Sequence, residues 1–316
     1  MVSKQNEILG QDEALKVLEL AVKQDIAALL VGDTGTGKTT MVKHLADLHG
    51  KEWVRFNLTG ETTVDDFVGK WTLNEGETVW NDGILLQAMR QGKWLILDEV
   101  NVALPEILFV LHSLLDDDKF VVVPNNQGEV VRPAEGFRFF ATMNPVDEYA
   151  GTKDLNKAFK SRFGVIATIN YPISDVEIDI LVQKAEVSPS IATKMVLLAN
   201  ELRTQKKKDQ IFYTCSTRDL MQWAEAYKGL DDLSLAFKYT ILNKANGDSE
   251  KIAEVYKMVT GEFIKMEEDV PGVTLAGLKS EHAKLIKERE SYKKQSAQIT
   301  KDILTDIRKK LAAELK

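Results

Sequence analysis

The chain has 316 residues and a mass of 35.5 kDa, a length suited to two domains of roughly 100–200 residues each. Hydrophobic residues make up 44% and charged residues 28%, enough to bury a core over most of the chain and to argue against long disorder. With 41 Lys+Arg against 48 Asp+Glu, the net charge of −7 disfavours a globally basic nucleic-acid binder and leaves room only for a local basic pore.

Cys215 is the single cysteine, which excludes an internal disulfide and a multi-cysteine metal site. The four histidines are too scattered for a zinc-ligand cluster. The opening MVSKQNEILGQDEALKVL is polar and amphipathic rather than like a signal peptide. No apolar run approaches the roughly 18 residues of a membrane span, so a cytoplasmic setting without a membrane anchor is expected.

Residues 11–23 repeat apolar positions at helical spacing, with Leu15, Leu18, Leu20 and Val22 on the expected stripe. Ile26 to Val31 is a short apolar run that ends in the glycine-rich GDTGTGKTT, and a helix is predicted from about Lys38 to His49. Glu52 to Leu58, Trp94 to Glu99, Phe137 to Asn144 and Val165 to Tyr171 read as further strands, the second apolar enough to be buried on both faces. Helical patterns lie between them, notably Leu104 to Asp117, and the alternation predicts an α/β fold with a parallel sheet wrapped by helices. Gly69 to Gly83 and Phe120 to Pro133 interrupt the rhythm as β-hairpins with Asn/Gly turns that project from the body.

After Pro172 the pattern is helical only, with helices expected over Asp175–Ala185, Ile191–Thr204, Thr217–Tyr227, Asp232–Asn243 and Lys251–Val259. The predicted organisation is a nucleotide-binding α/β domain over 1–172, an all-α lid over 173–270, and a linker at Pro271–Gly272 leading into an amphipathic helix to 316. Leu278, Leu285, Tyr292 and Ile299 lie seven apart, and Ile303, Ile307, Leu311 and Leu315 follow at steps of four, a stripe that points to a coiled-coil partner in its own chain or another subunit, with a solvated single helix as the alternative.

Gly32, Asp33, Thr34, Gly35, Thr36, Gly37, Lys38 and Thr39 match the phosphate-loop pattern G-x-x-x-x-G-K-[ST] in full, and Thr40 continues into the helix. Backbone N–H groups of such a loop cradle phosphate oxygens, Lys38 reaches the β- and γ-phosphates and the Thr39 hydroxyl ligates Mg²⁺. The helix N-terminus adds its dipole to the anion site. Leu95 to Glu99 is an apolar strand ending in two acids beside that loop; Asp98 would hold the Mg²⁺ shell and Glu99 would polarise an attacking water. ATP and Mg²⁺ are the ligands this pattern predicts.

Asn144 ends the next strand and could hold that water or touch the γ-phosphate, with Thr142 a weaker candidate; a turn asparagine before Pro145 is the local alternative. Arg162, beside Phe163, would reach a neighbouring subunit's γ-phosphate as an arginine finger in a ring; a surface salt bridge is the alternative, and Lys160 lacks the planar fork. Arg218 starts a lid helix capped by Ser216 or Thr217 and could fold over the nucleotide, unless it pairs with Asp219 or Glu225. Cys215 next to it reads as a small packed residue.

In order, the phosphate loop, LILDE, ATMNP, SRF and STRDL resemble an AAA+ ATPase over about residues 8–260. FVGKW (67–71), VWNDGILLQAM (79–89), LDEVNVALPEILFVLHSLLDD (97–117), VVRPAEGFRFFATMNP (130–145) and YAGTKDLNKAFKSRF (149–163) resemble the MoxR group, including the aerobic cobaltochelatase ATPase subunit and CbbQ/NirQ-type activases. The resemblance implies a hexameric ring, chaperone-like remodelling driven by ATP hydrolysis, and a partner carrying a von Willebrand A domain. The chain has no D-x-S-x-S motif, so that domain would belong to a separate protein. The long C-terminal helix, from about Leu275 to the end, lies outside the resemblance. Two other readings stay open: a nucleic-acid-linked NTPase like the restriction-system GTPases, against which Met143-Asn144-Pro145-Val146-Asp147 departs from their M-N-T-A-D, and a nucleotide-gated scaffold.

Overall fold

The computed structural model describes residues 8–145 and 154–264. The chain divides into two units, Met1–Phe263 and Ile264–Lys316; the linker and helix predicted over 271–316 lie outside the described residues.

In the first unit, α1 (Asp12–Gln24) precedes β1 (Ala28–Val31), which opens onto the glycine-rich turn and α2 (Lys38–Leu48). β2 (Trp53–Asn57) and the short α3 (Val64–Phe67) lead to a hairpin of β3 (Gly69–Asn74) and β4 (Glu77–Asp82). Next come α4 (Ile84–Gln91), β5 (Trp94–Asp98) and α5 (Pro105–Leu115), then a second hairpin of β6 (Val121–Val123) and β7 (Glu129–Val131), and finally β8 (Arg138–Met143), α6 (Lys157–Lys160) and β9 (Val165–Thr168).

Five of these strands form one parallel sheet in the order β2–β5–β8–β1–β9. Side chains alternate across it with the two-residue period of a strand. Leu29, Leu95, Leu97, Phe139 and Ala141 pack on one face with α4 and α5 residues such as Leu86, Met89, Ile107 and Leu111. Ala28, Leu30, Trp94, Ile96 and Phe140 pack on the other against Leu18, Met41 and Leu45 from α1 and α2. Both faces are covered, which is why the inner strands read as continuous apolar runs. Leu20 departs from the expected stripe and is 47% exposed, because the buried side of α1 runs through Leu18, Ala21 and Val22, three and four residues apart on one helical face.

The two hairpins touch each other. The Trp71 indole donates to Asn125 O at 2.7 Å and packs edge-on against Trp80. Arg90 of α4 spans the pair, with Nε on Asp82 at 2.8 Å and Nη2 on Glu129 at 2.7 Å.

From Ser174 onward the described elements are helical: α7 (Ser174–Lys184), α8 (Pro189–Lys207), α9 (Thr217–Leu230), α10 (Leu233–Thr240) and α11 (Ser249–Thr260). α10 is shorter than the sequence suggests; the backbone leaves helical geometry at Ile241 and resumes as a 3₁₀ turn over Leu242–Lys244. Trp223, Phe237 and Tyr256 pack together among these helices, with ring centroids 4.9 Å and 4.7 Å apart along the series. Among the described residues no helix is long and apolar enough to cross a membrane.

Candidate nucleotide-binding site

The parallel register brings the carboxyl ends of β1, β5 and β8 to one edge of the sheet, the place where open α/β sheets bind ligands. Gly32 leaves β1 so close to the neighbouring backbone that a Cβ there would lie 2.1 Å from Ile169 O. Gly35 (φ +76°) and Gly37 (φ +92°) take left-handed conformations that side chains disfavour. The loop thus turns tightly, and α2 starts at Lys38 with Gly37 as its N-cap.

Lys38 folds back under the loop. Its ammonium donates to Gly32 O at 2.6 Å, Asp33 O at 2.8 Å and Asn144 Oδ1 at 2.9 Å, which uses all three of its protons. Burial pushes its pKa down to about 8, opposed by the charges of Asp33, Asp98 and Glu99 and reinforced by that of Arg218. Thr36 closes the loop from its hydroxyl to Asp33 O at 2.9 Å, and Thr34 O accepts from the Tyr171 hydroxyl at 3.0 Å. Thr40 is exposed on the first turn of α2.

Asp98, buried at the end of β5, accepts from Thr39 Oγ1 and from Thr142 Oγ1, each at 2.8 Å and both on Oδ1. Its other oxygen is paired with Arg55 from β2. Glu99 is exposed and stands in the left-handed region at φ +59° and ψ +43°. A glutamate in that conformation is uncommon outside turns and functional sites; here it turns the chain from β5 into a 3₁₀ turn over Val100–Val102. Asn144 sits at the end of β8 with its side chain on Lys38 and its carbonyl held by Asn101 Nδ2 at 3.3 Å.

Two predicted residues are placed differently from this cluster. Arg162 lies just before β9, at the opposite edge of the sheet, with Nε on Asp116 at 2.7 Å and Nη1 on Ala158 O at 2.6 Å. It lines a cleft of about 1280 Å³ together with Asp25, Lys119 and Arg138. Nearby Lys160 pairs with Asp154. Arg218 is exposed in the first turn of α9, directly over the phosphate loop: a Cβ at Gly35 would lie 2.5 Å from Ser216 Oγ and 3.2 Å from Arg218 Cβ. Ser216 caps α9 through a reciprocal bond with Asp219, which also pairs with Lys244 at 2.7 Å. Cys215 is fully buried, and that burial drives its thiol far above the ordinary value, so it is an inert packing residue.

Sequence reasoning gave no part to Arg55, Asn101 or Tyr171. Arg55 stands two residues before the end of an alternating strand and Tyr171 just after the last one, places from which either can reach the loop edge; nothing in the local pattern distinguishes them from surface residues.

A glycine-rich loop on a helix N-terminus, a buried lysine, and an acid with a hydroxyl partner at the carboxyl edge of a five-stranded parallel sheet define a P-loop nucleoside triphosphatase. The AAA domain (dynein-related subfamily) family model matches residues 27–163, and the CbbQ/NirQ/NorQ C-terminal model matches residues 177–261. Protein NorQ of Paracoccus denitrificans is 30% identical over 242 residues, 77% of this chain and 88% of that protein. The aerobic cobaltochelatase subunit CobS of Sinorhizobium is 30% identical over 263 residues, 78% of each chain. Midasin of Dictyostelium discoideum is 32% identical over 305 residues, which span 93% of this chain and 5% of midasin. The chain belongs to the AAA+ ATPases of the MoxR-like CbbQ/NorQ/CobS type.

Proposed function

We propose that the chain is a Mg²⁺-dependent ATP-driven motor that assembles as a homo-oligomeric ring, a hexamer, and remodels or activates a client protein through a partner carrying a von Willebrand A domain. The observation that supports this reading best is the meeting of Lys38, Asn144, Thr39 and Asp98 at one sheet edge. Thr39 Oγ1 and Asp98 Oδ1 form the oxygen-only donor set that a hard cation prefers, so these two residues would hold Mg²⁺. When bound, the ion neutralises charge on the phosphate oxygens. Lys38 binds the β- and γ-phosphates, exchanging backbone carbonyls for phosphate oxygens. Glu99, exposed at the mouth of the site, takes a proton from the attacking water while the water oxygen bonds to the γ-phosphorus and ADP departs. Asn144 orients that water or the γ-phosphate, Arg218 closes over the phosphates from the lid, and Arg162 serves the neighbouring subunit's nucleotide. The clasped hairpins, tied through Trp71 and Arg90, would move as one lever against the client.

Replacing Glu99 by Gln tests the reading. The variant is expected to bind ATP within a few-fold of wild type while turnover falls about 10²–10⁴-fold, the usual worth of a positioned base. Lys38→Ala should lose binding as well. Phosphate release and equilibrium binding of a fluorescent ATP analogue read both. Unchanged turnover in Glu99→Gln would overturn its assignment, and activity stimulated by DNA but by no protein would overturn the client reading.

A further inference from the structure

A polar chain, buried at Arg203 and Glu177, joins the phosphate loop to the α9 N-terminus, and it runs through residues that none of the preceding chemistry uses. Tyr171 donates its hydroxyl to Thr34 O of the loop at 3.0 Å. Its ring lies under the Arg203 guanidinium, 4.0 Å from the ring centre. Arg203 Nε donates to Cys215 O at 2.8 Å, and its two terminal nitrogens form a fork on Glu177 at 2.7 and 2.9 Å. Glu177 is wholly buried and its Oε1 also accepts from Thr217 Oγ1 at 2.6 Å. Cys215 and Thr217 flank Ser216, which seats α9 against Gly35 and thereby returns the chain to the loop beside Arg218.

A buried ion pair is a poor source of stability, since apolar residues of similar volume commonly serve as well. What this pair supplies is direction. The planar fork fixes Glu177, and Glu177 and the Arg203 Nε together fix the backbone and side chain on either side of the α9 N-cap. No apolar substitute would hold those two points and the Tyr171 ring in one register.

We propose that Arg203, with Glu177 and Tyr171, is a positioning residue that couples the conformation of the phosphate loop to the placement of Arg218. Loop movement on nucleotide exchange is passed through Tyr171 to the α9 N-terminus. The inference rests on the reading that Arg218 engages the nucleotide, and the experiment separates the two.

The test is a double-mutant cycle in the full chain between Tyr171→Phe and Arg218→Lys, read on kcat and on affinity for a fluorescent ATP analogue, with Tm recorded for each protein. Tyr171→Phe keeps the ring under Arg203 and removes the hydroxyl that donates to Thr34 O. It should cut kcat about ten-fold, the equivalent of one hydrogen bond of ~1.4 kcal/mol, with Tm unchanged. In the Arg218→Lys background the same substitution should have almost no further effect, since coupled residues are non-additive. Arg203→Lys should reproduce the Tyr171→Phe loss; if it fails to fold, Thr217→Val replaces it, because it too removes one bond to Glu177. Wild-type kcat in Tyr171→Phe, or full additivity with Arg218→Lys, would overturn the proposal while leaving the Arg218 reading intact. Wild-type behaviour of Arg218→Lys and Arg218→Ala would instead overturn the reading beneath it.

Discussion

The two edges of the sheet carry charge in opposite ways. At the carboxyl edge Lys38 and Asp98 are buried and each is held by several partners within the same chain. At the amino edge Arg162, Arg138 and Lys119 pair with Asp116 and Asp25, acids that are about half exposed, around an open cleft. The first arrangement is held by buried hydrogen bonds within the chain. The second is held by exposed ion pairs of the kind worth about 0–1 kcal/mol, which an incoming phosphate could displace. One edge has the character of a binding site complete in itself, the other that of a site awaiting a counterpart.

The largest expected effect breaks that contrast at the amino edge. Arg162→Ala should leave ATP affinity near normal and lower kcat by about 10³–10⁵, the range of an arginine finger. Mixing it with Glu99→Gln subunits should restore part of the activity, because some interfaces then contain both intact groups. Mixed oligomers that form and remain inactive would remove Arg162 from the role.

A second expectation sharpens the carboxyl edge. Lys38 titrates at about 8 in place of its ordinary 10.5 because burial disfavours the ammonium. Between those values the unfolded chain holds more protons than the folded one, so this group's penalty on the nucleotide-free protein is full below about pH 8 and fades as pH rises toward 10.5. Phosphate binding restores the charge. ATP binding should therefore take up close to one proton at about pH 9 and almost none at about pH 7, and affinity should weaken above about pH 8. Calorimetry in two buffers of different ionisation enthalpy measures the uptake; a value that does not change with pH would contradict it.

The smallest expected effect is at Asp116. Asp116→Asn removes the carboxylate on Arg162 Nε, and chemical denaturation should register less than about 1 kcal/mol, in contrast to the loss of folding or binding that follows disruption of a buried partner. A larger cost would mean that the amino edge is as fixed as the other.

Much of the carboxyl edge was legible in the sequence because its chemistry demands set residue types at set spacing. Gly32 to Thr39 reads as a phosphate loop because it follows a strand and opens a helix, and the apolar run to Asp98 gives the register that sets Thr39 and Thr142 beside it. The pairings across the fold were not legible. Arg55 on Asp98, Tyr171 on Thr34, Arg203 on Glu177, Arg90 between the hairpins and Asp116 on Arg162 join segments that meet only through topology, and no periodicity marks a side chain for a partner on another element. Leu20 shows the same limit at short range: an apolar residue near a stripe need not face the core. The linker and helix expected over 271–316 lie outside the described residues.

β1 carries the phosphate loop from the interior of the sheet, and its partners come from far along the chain: Ala28 pairs with Phe140 on one side and with Val165 on the other. A ribosome making roughly 5–20 residues per second leaves an interval on the order of ten seconds between the emergence of the loop and that of the strands that brace it. During that interval Ala28–Val31 is an apolar segment with both hydrogen-bonding edges open. The nascent chain thus carries its most recognisable motif long before the two strands that flank β1 in the finished sheet have been made.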